Sequence, residues 1–212
     1  TGVGATQVNN PTPASTVQTP ACKQFECVGG GEEVAVSFEH AHFASGGGFS
    51  NVATMPAYQK TAVNKYLNSG VDMPPASYYN ATSRGYPDIA AFGSDIVLYE
   101  NGGLDTAGGT SASSPEIAAI FALLNDHAMK ITGKGLGPLN PFLYKMAAEC
   151  SDCFNDVTVG DNICTEQGCG TNGACKGFKA TTGWDPVTGL GSPKYTNMLG
   201  YLTKLFVDKK ML

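Results

Sequence analysis

Gly108 and Gly109 stand directly before Thr110 and Ser111, and the chain then runs into Ile117, Ala118, Ile120, Phe121, Leu123 and Leu124. A glycine pair allows a tight backbone turn, and the apolar spacing that follows is helical. The layout predicts a buried helix that carries Ser111 in its first turn and runs to about Lys130. A hydroxyl there meets unpaired backbone N–H groups and the positive end of the helix dipole, which favour a developing negative charge. It can act as a nucleophile while neighbouring amides hold an oxyanion. Taken alone, the same residues favour an ordinary Ser/Thr helix cap.

The rest of the chain alternates strand-like and helix-like segments. Residues 1–8 are small and partly β-branched and predict a strand; residues 9–31 predict a loop or hairpin around Cys22 and Cys27. Residues 33–38 have strand composition. Residues 45–50 hold three consecutive glycines and predict irregular structure, Pro56 opens a helix to about Gly70, and residues 71–87 predict a loop. Residues 88–92 and 95–99 read as two short strands broken at Gly93. Further helices are expected over 141–148 and 193–207, with a cysteine-rich loop over 150–182. Strands alternating with amphipathic helices imply an α/β fold, a mainly parallel sheet with helices on both faces. No repeat, linker or second domain shows, so residues 1–212 are expected to share one domain, a size that supports a real core.

Charged residues are only 15% of the chain, the net charge is −5 and no basic stretch occurs, which argues against nucleic acid as a partner. The longest apolar run, Ile117 to Leu124, is too short to span a bilayer. Five of the seven cysteines fall within residues 150–175, which points to disulfides and an oxidising compartment, with zinc as the rival reading. An odd count leaves one thiol free or bonded to another chain. Asn80-Ala81-Thr82 is a glycosylation sequon at Asn80 and agrees with a secretory route. The chain opens Thr1-Gly2-Val3 without an initiator Met and reads as a processed fragment.

Residues 154–162 and 183–191 form a second constellation, with Asp156 and Asp185 set in glycine-rich backbone. Hard cations take carboxylates together with backbone carbonyls, which such loops supply. The spacing is not that of an EF-hand. A pair of Asx-turns accounts for the same residues equally well.

Three separated segments together resemble one family. Gly109-Thr110-Ser111-Ala112-Ser113-Ser114-Pro115 resembles the nucleophile motif of subtilisin-like folds. Residues 45–51, Ser-Gly-Gly-Gly-Phe-Ser-Asn, and 85–91, Gly-Tyr-Pro-Asp-Ile-Ala-Ala, look like the sedolisins, the serine-carboxyl peptidases. Phe154 to Thr158, followed by Gly183-Trp184-Asp185-Pro186-Val187-Thr188-Gly189, is similar to that family's calcium site. The resemblance spans nearly the whole chain in order. It implies the C-terminal part of a subtilisin-like domain with a Cys-rich calcium loop over 150–185.

The family implies an acid endopeptidase or tripeptidyl peptidase acting on peptide or protein substrates in a lysosome-like compartment or outside the cell. Ser111 is then the nucleophile and its N–H an oxyanion donor. Asp156 and Asp185 are the carboxylate ligands of Ca²⁺, and Val157, Thr181 and Gly183 give backbone carbonyls; the family usually has glycine where Thr181 stands. The family's catalytic Glu, its Asp partner and its oxyanion Asp lie upstream of the serine and match nothing here. Glu33, Glu39, Glu100 and Glu116 are expected to be surface or capping groups, Asp88 structural, and the histidines solvated or packed. A two-chain member of the family accounts for this, with an N-terminal heavy chain, disulfide-linked to this one, supplying the carboxylates. A catalytically silent, calcium-stabilised module and a subtilisin with a His base elsewhere remain open at this point.

Overall fold

The computed structural model describes residues 1–13, 22, 27–164 and 175–210. Strand β1 (Val3–Pro13) lies between β2 (Val28–Ala35) and β5 (Ile89–Phe92). β1 and β2 form an antiparallel hairpin with Thr6 opposite Ala35. β1 and β5 are parallel, with Val3 opposite Ile89 and Thr6 opposite Phe92. Parallel neighbours need a long crossover. Here it holds α1 (Phe38–Ala41), β3 (Gly48–Thr54), α2 (Lys60–Leu67) and β4 (Ser83–Tyr86).

The fold is α/β, and among the described residues its parallel pairing is β1–β5. The pairs β3–β4, β6 (Ile96–Glu100) with β7 (Gly103–Ala107), and β8 (Phe154–Asn155) with β9 (Ser192–Pro193) are antiparallel. Three segments depart from the sequence reading: of residues 33–38, β2 takes only those to Ala35, and Phe38 opens α1. Residues 48–50 are in β3 rather than irregular, because Gly48 and Phe49 pair with Tyr86 and Gly85 and Phe49 is buried against Tyr79, Phe178 and Trp184. That pairing also makes residues 83–86 a strand where a loop was expected.

Helix α3 (Thr110–Thr132) buries Ser113, Ile117, Phe121, Leu124 and Ala128 along one stripe, as helical spacing dictates. The stripe packs on β1 and β5 and on the last helix, α5 (Tyr195–Lys210). His127 Nε2 meets Thr203 Oγ1 of α5 at 2.8 Å. The opposite side of α3 is apolar too, yet Ala118, Ala119 and Ala122 are exposed and Leu123 is 56% exposed. Helix α4 (Leu139–Glu149) buries Leu143, Tyr144 and Met146.

Asp88 ties these elements together. Its side chain is fully buried. Oδ2 accepts from Gly2 N at 2.7 Å and Arg84 Nη2 at 2.6 Å, and Oδ1 accepts from Tyr144 O–H of α4 at 3.1 Å. This is the structural role expected of it. Asp88→Ala removes the acceptor of Arg84 Nη2, Tyr144 O–H and Gly2 N, breaking the ion pair and leaving, among the described residues, Arg84 only Gly85 O and Tyr144 only Gln59 Nε2, which is expected to cost about 3 kcal/mol. Urea unfolding checks this, and a loss below about 0.5 kcal/mol, the range of an ordinary surface change, sets the role aside.

Candidate functional site

The site starts at a strand-to-helix junction. Gly109 is the N-cap of α3 at φ 102°, ψ 160°, backbone that side chains rarely adopt. Its N–H donates to Gly93 O at 2.7 Å, and its carbonyl accepts from Ala112 N at 2.9 Å. A Cβ at Gly93 would lie 2.6 Å from Ala5 Cβ and 2.8 Å from Ser113 Oγ, so only glycine lets α3 seat this close to β1. Ser113 Oγ completes the junction by donating to Phe92 O at 3.0 Å.

Ser111 follows in the first helical turn, exposed. No side-chain hydrogen bond caps α3. The cap reading of Thr110-Ser111 therefore fails, since the cap is a glycine and the serine hydroxyl is left for other work. Pro115 has no N–H to give the Ser111 carbonyl. Ser111 lies in a cleft of about 880 Å³ whose walls include His40, His42 and Phe43 on one side and Thr106 and Gly108 on the other.

A larger cleft of about 1180 Å³ adjoins it and holds Glu32, Glu33 and Glu116. Glu33 is neither a surface group nor a cap. Its carboxylate accepts from Thr6 Oγ1 at 2.6 Å, Asn155 Nδ2 at 2.7 Å and Ser192 Oγ at 2.7 Å, which braces β1, β8 and β9. Burial, with the charge of Glu33, pushes the Glu116 carboxyl up. Glu39 and Glu100 are exposed, as expected. His40 is exposed, as expected, and its Nε2 also meets Asp95 Oδ2 at 2.9 Å. Nothing local in the sequence signals a pair 55 positions apart.

The five residues expected to bind calcium fall in one loop cluster. Asp185 is fully buried; Oδ2 accepts from Thr181 N at 3.1 Å and Oδ1 from Val187 N at 2.9 Å and Thr188 N at 2.8 Å. Asp156 Oδ2 accepts from Gly183 N at 2.9 Å. Thr188 Oγ1 reaches both Val157 O, at 3.4 Å, and Asp185 Oδ1, at 3.3 Å. Burial pushes the Asp185 carboxyl up to about 7, against the pull of its backbone donors, and burial also raises Asp156. Trp184 anchors the loop through Nε1, which donates to Pro87 O at 2.9 Å, and by edge contact with Tyr66.

Two carboxylates and nearby carbonyls are hard oxygen donors of the kind calcium takes. Asp185 forms no ion pair among the described residues, so no protein cation offsets its charge. The N–H bonds of Val187 and Thr188 to Asp185 are also an Asx-turn, so both readings are built into one loop. Among the described residues no group of three or more His, Cys, Asp or Glu could hold a metal ion.

Cys150 and Cys153 form a disulfide, as do Cys22 and Cys27. Cys164 is disulfide-bonded too, and Cys175 is a free thiol. Cys169 lies outside the described residues. Asn80 and Thr82 are exposed, with Thr82 N and Oγ1 donating to Asn80 Oδ1 at 3.0 and 2.8 Å. No described helix is long and apolar enough to cross a membrane.

No family model matches the chain. It is 38% identical over 206 residues to physarolisin of Physarum polycephalum, covering 96% of this chain and 35% of that one. It is 40% identical over 160 residues to tripeptidyl-peptidase 1 of Dictyostelium discoideum, covering 74% and 25%. Human tripeptidyl-peptidase 1 is 38% identical over 186 residues, covering 85% and 32%. Pseudomonas sedolisin, a serine-carboxyl proteinase solved with two molecules of pseudo-iodotyrostatin, superposes with a TM-score of 0.64 at 25% identity, over 95% of this chain and 45% of that one. The chain spans about a quarter to a third of the length of the curated relatives it matches. It belongs to the sedolisin family, and its span fits the C-terminal, serine-bearing part of such a protein.

Proposed function

We propose that this chain is the serine-bearing part of an acid-acting serine-carboxyl peptidase that cleaves peptide bonds through an acyl-enzyme on Ser111. The observation that carries this is the exposed Ser111 hydroxyl, released from capping and set in a cleft at a helix start. Ser111 Oγ adds to the peptide carbonyl and gives its proton to a carboxylate base. The oxyanion is held by first-turn N–H groups, the amine leaves with the proton, and water then hydrolyses the ester. Glu33 is committed to three structural bonds and is not free to serve Ser111 as base. On this reading the Glu base, its Asp partner and an oxyanion Asp come from an upstream chain, because the family's pattern for them matches nothing in this sequence. Close carboxyls that share protons persist in acid, which sets the working pH low.

The outer face of α3 supports this partner. Ala118, Ala119, Ala122 and Leu123 form an exposed apolar patch on its first half, ahead of the exposed Asp126–Lys130 ion pair, and such a patch suits burial under a partner. The two chains together make one domain, of which residues 1–212 are the C-terminal part and 150–185 the calcium loop. Asp156, Asp185 and the carbonyls of Val157, Thr181 and Gly183 hold Ca²⁺, which fixes that loop. A secretory route, a glycan on Asn80 and an acidic compartment or the exterior as destination complete the reading. Cys175 supplies the thiol for an interchain disulfide.

Mass measurement of the native protein tests the assembly. Without reductant a species larger than 22.0 kDa is expected, and reductant releases this chain from it. Cys175→Ser abolishes the larger species under denaturing, non-reducing conditions. A fully active protein made of the 22.0 kDa chain alone overturns the two-chain reading.

A further inference from the structure

One wall of the Ser111 cleft carries chemistry that peptide cleavage at the serine leaves unused. The wall runs from His40 to Gly46 and faces Thr106 to Ser111. Its far end is anchored in the core. Ser45 is fully buried; its Oγ accepts from Ala5 N at 3.0 Å and donates to Val187 O at 2.7 Å. Its near end is α1, a helix of four residues that buries none of them. So short a helix has little stability of its own. Its start is held by Ser37 N, which donates to Gln7 Oε1 of β1 at 2.9 Å, and its cleft-facing end by His40, whose Nε2 meets Asp95 Oδ2 at 2.9 Å across to the turn after β5.

Asp95 is preset for that contact. Ser94 Oγ donates to the same Oδ2 at 2.5 Å. The bonds from Ser94 and His40 hold the Asp95 carboxyl below the usual carboxylate range. Asp95 sits at φ 56°, a left-handed conformation that short polar side chains tolerate. His40, Ser94 and Asp95 border both the Ser111 cleft and the larger acidic cleft. The pair is thus a rail between the two.

We propose that His40 and Asp95 are positioning residues that set the width of the Ser111 cleft, and that their bond is strongest in acid, where the imidazole is charged. The proposal rests on Ser111 being the nucleophile. Imidazole is the side chain whose ordinary titration lies between about pH 5 and 8. The charged groups that share its two clefts are Asp95, Glu32 and Glu33 of β2, Glu116 of α3 and Asp156, with His42 beside α1. Glu39 neighbours it on α1. All but His42 are acids. The pair then latches the wall at the pH where the peptidase works and loosens as the pH rises.

The side chains of His40 and Asp95 are 45% and 76% exposed, so the effect is modest, about two- to fivefold. In the assembled protein KM for peptide substrates is expected to rise by that factor between about pH 5 and 8. His40→Gln keeps a donor without a charge; it should flatten the rise and leave kcat at its optimum within about twofold. His40→Ala and Asp95→Asn should each raise KM in acid, and the double variant no further. An unaltered KM–pH profile in His40→Gln, or additive single variants, overturns the proposal. A wild-type protein without peptidase activity instead defeats the reading of Ser111. Hydrogen exchange over residues 40–46 then decides the latch: His40→Ala should speed it at about pH 5 but not at about pH 8, and equal exchange at both overturns it.

Discussion

Ser111→Ala in the assembled protein is expected to lower kcat for peptide hydrolysis by about 10⁴- to 10⁶-fold. The loss is this large because the hydroxyl oxygen is the atom that forms the acyl bond, and no neighbouring group replaces it. Stability should hardly move. Ser111 is exposed and no side-chain bond caps α3, so losing the hydroxyl removes no interior contact. An exposed change of this kind falls within about ±0.5 kcal/mol. Ser114→Ala is the matching control. Its Oγ donates to Thr110 O within the same helix, at 3.0 Å, and its loss should leave kcat near the wild-type value. Steady-state kinetics in acid, paired with thermal unfolding, check both. Retained activity in Ser111→Ala excludes the serine as nucleophile, and a collapsed melting curve excludes the claim that its role is chemical rather than structural.

How much of this the sequence carries depends on how local each feature is. The β7–Gly108–Gly109–α3 junction is legible because everything that makes it is contiguous: a glycine pair for the turn, a hydroxyl, then helical apolar spacing. The β1–β2 hairpin and its Cys22–Cys27 bridge are legible for the same reason. What the sequence cannot tell is whether Ser111 caps its own helix. That is settled by Gly109 at φ 102°, which takes the cap position itself. Strands β3 and β4 escape because Gly48 and the Pro/Tyr/Asn-rich residues 71–87 have loop composition. Their pairing is imposed from outside, by Phe49 packing on Trp184 and Phe178. Glu33 escapes for a related reason. A glutamate on a strand reads as solvated, and only the fold brings Asn155 and Ser192 to its carboxylate. His40 and Asp95 meet because of the crossover from β1 to β5, which no local pattern encodes.

Removal of calcium is expected to lower the melting temperature by about 5–10 °C. A ligand held only by the folded state stabilises by about 2.7 kcal/mol at a hundred times its Kd, and a chain of this size shifts by about 2–4 °C per kcal/mol. The electrostatics give the sign. Asp185 is fully buried without an ion pair among the described residues, and burial, outweighing its backbone donors, pushes its carboxyl up to about 7. A divalent cation shared with Asp156 would offset that buried charge. Asp185→Ala goes further than chelation, because it also strips the acceptor from Thr181, Val187 and Thr188 N–H groups. Each buried donor left unpaired costs about 1–3 kcal/mol. The variant should therefore melt below the chelated wild-type protein and show no response to added calcium. The Asx-turn reading makes a different forecast from the same loop: Asp185→Ala still destabilises, but chelation of the wild-type protein changes nothing. Differential scanning calorimetry with and without chelator separates the two, since only a bound cation makes the melting temperature depend on calcium concentration.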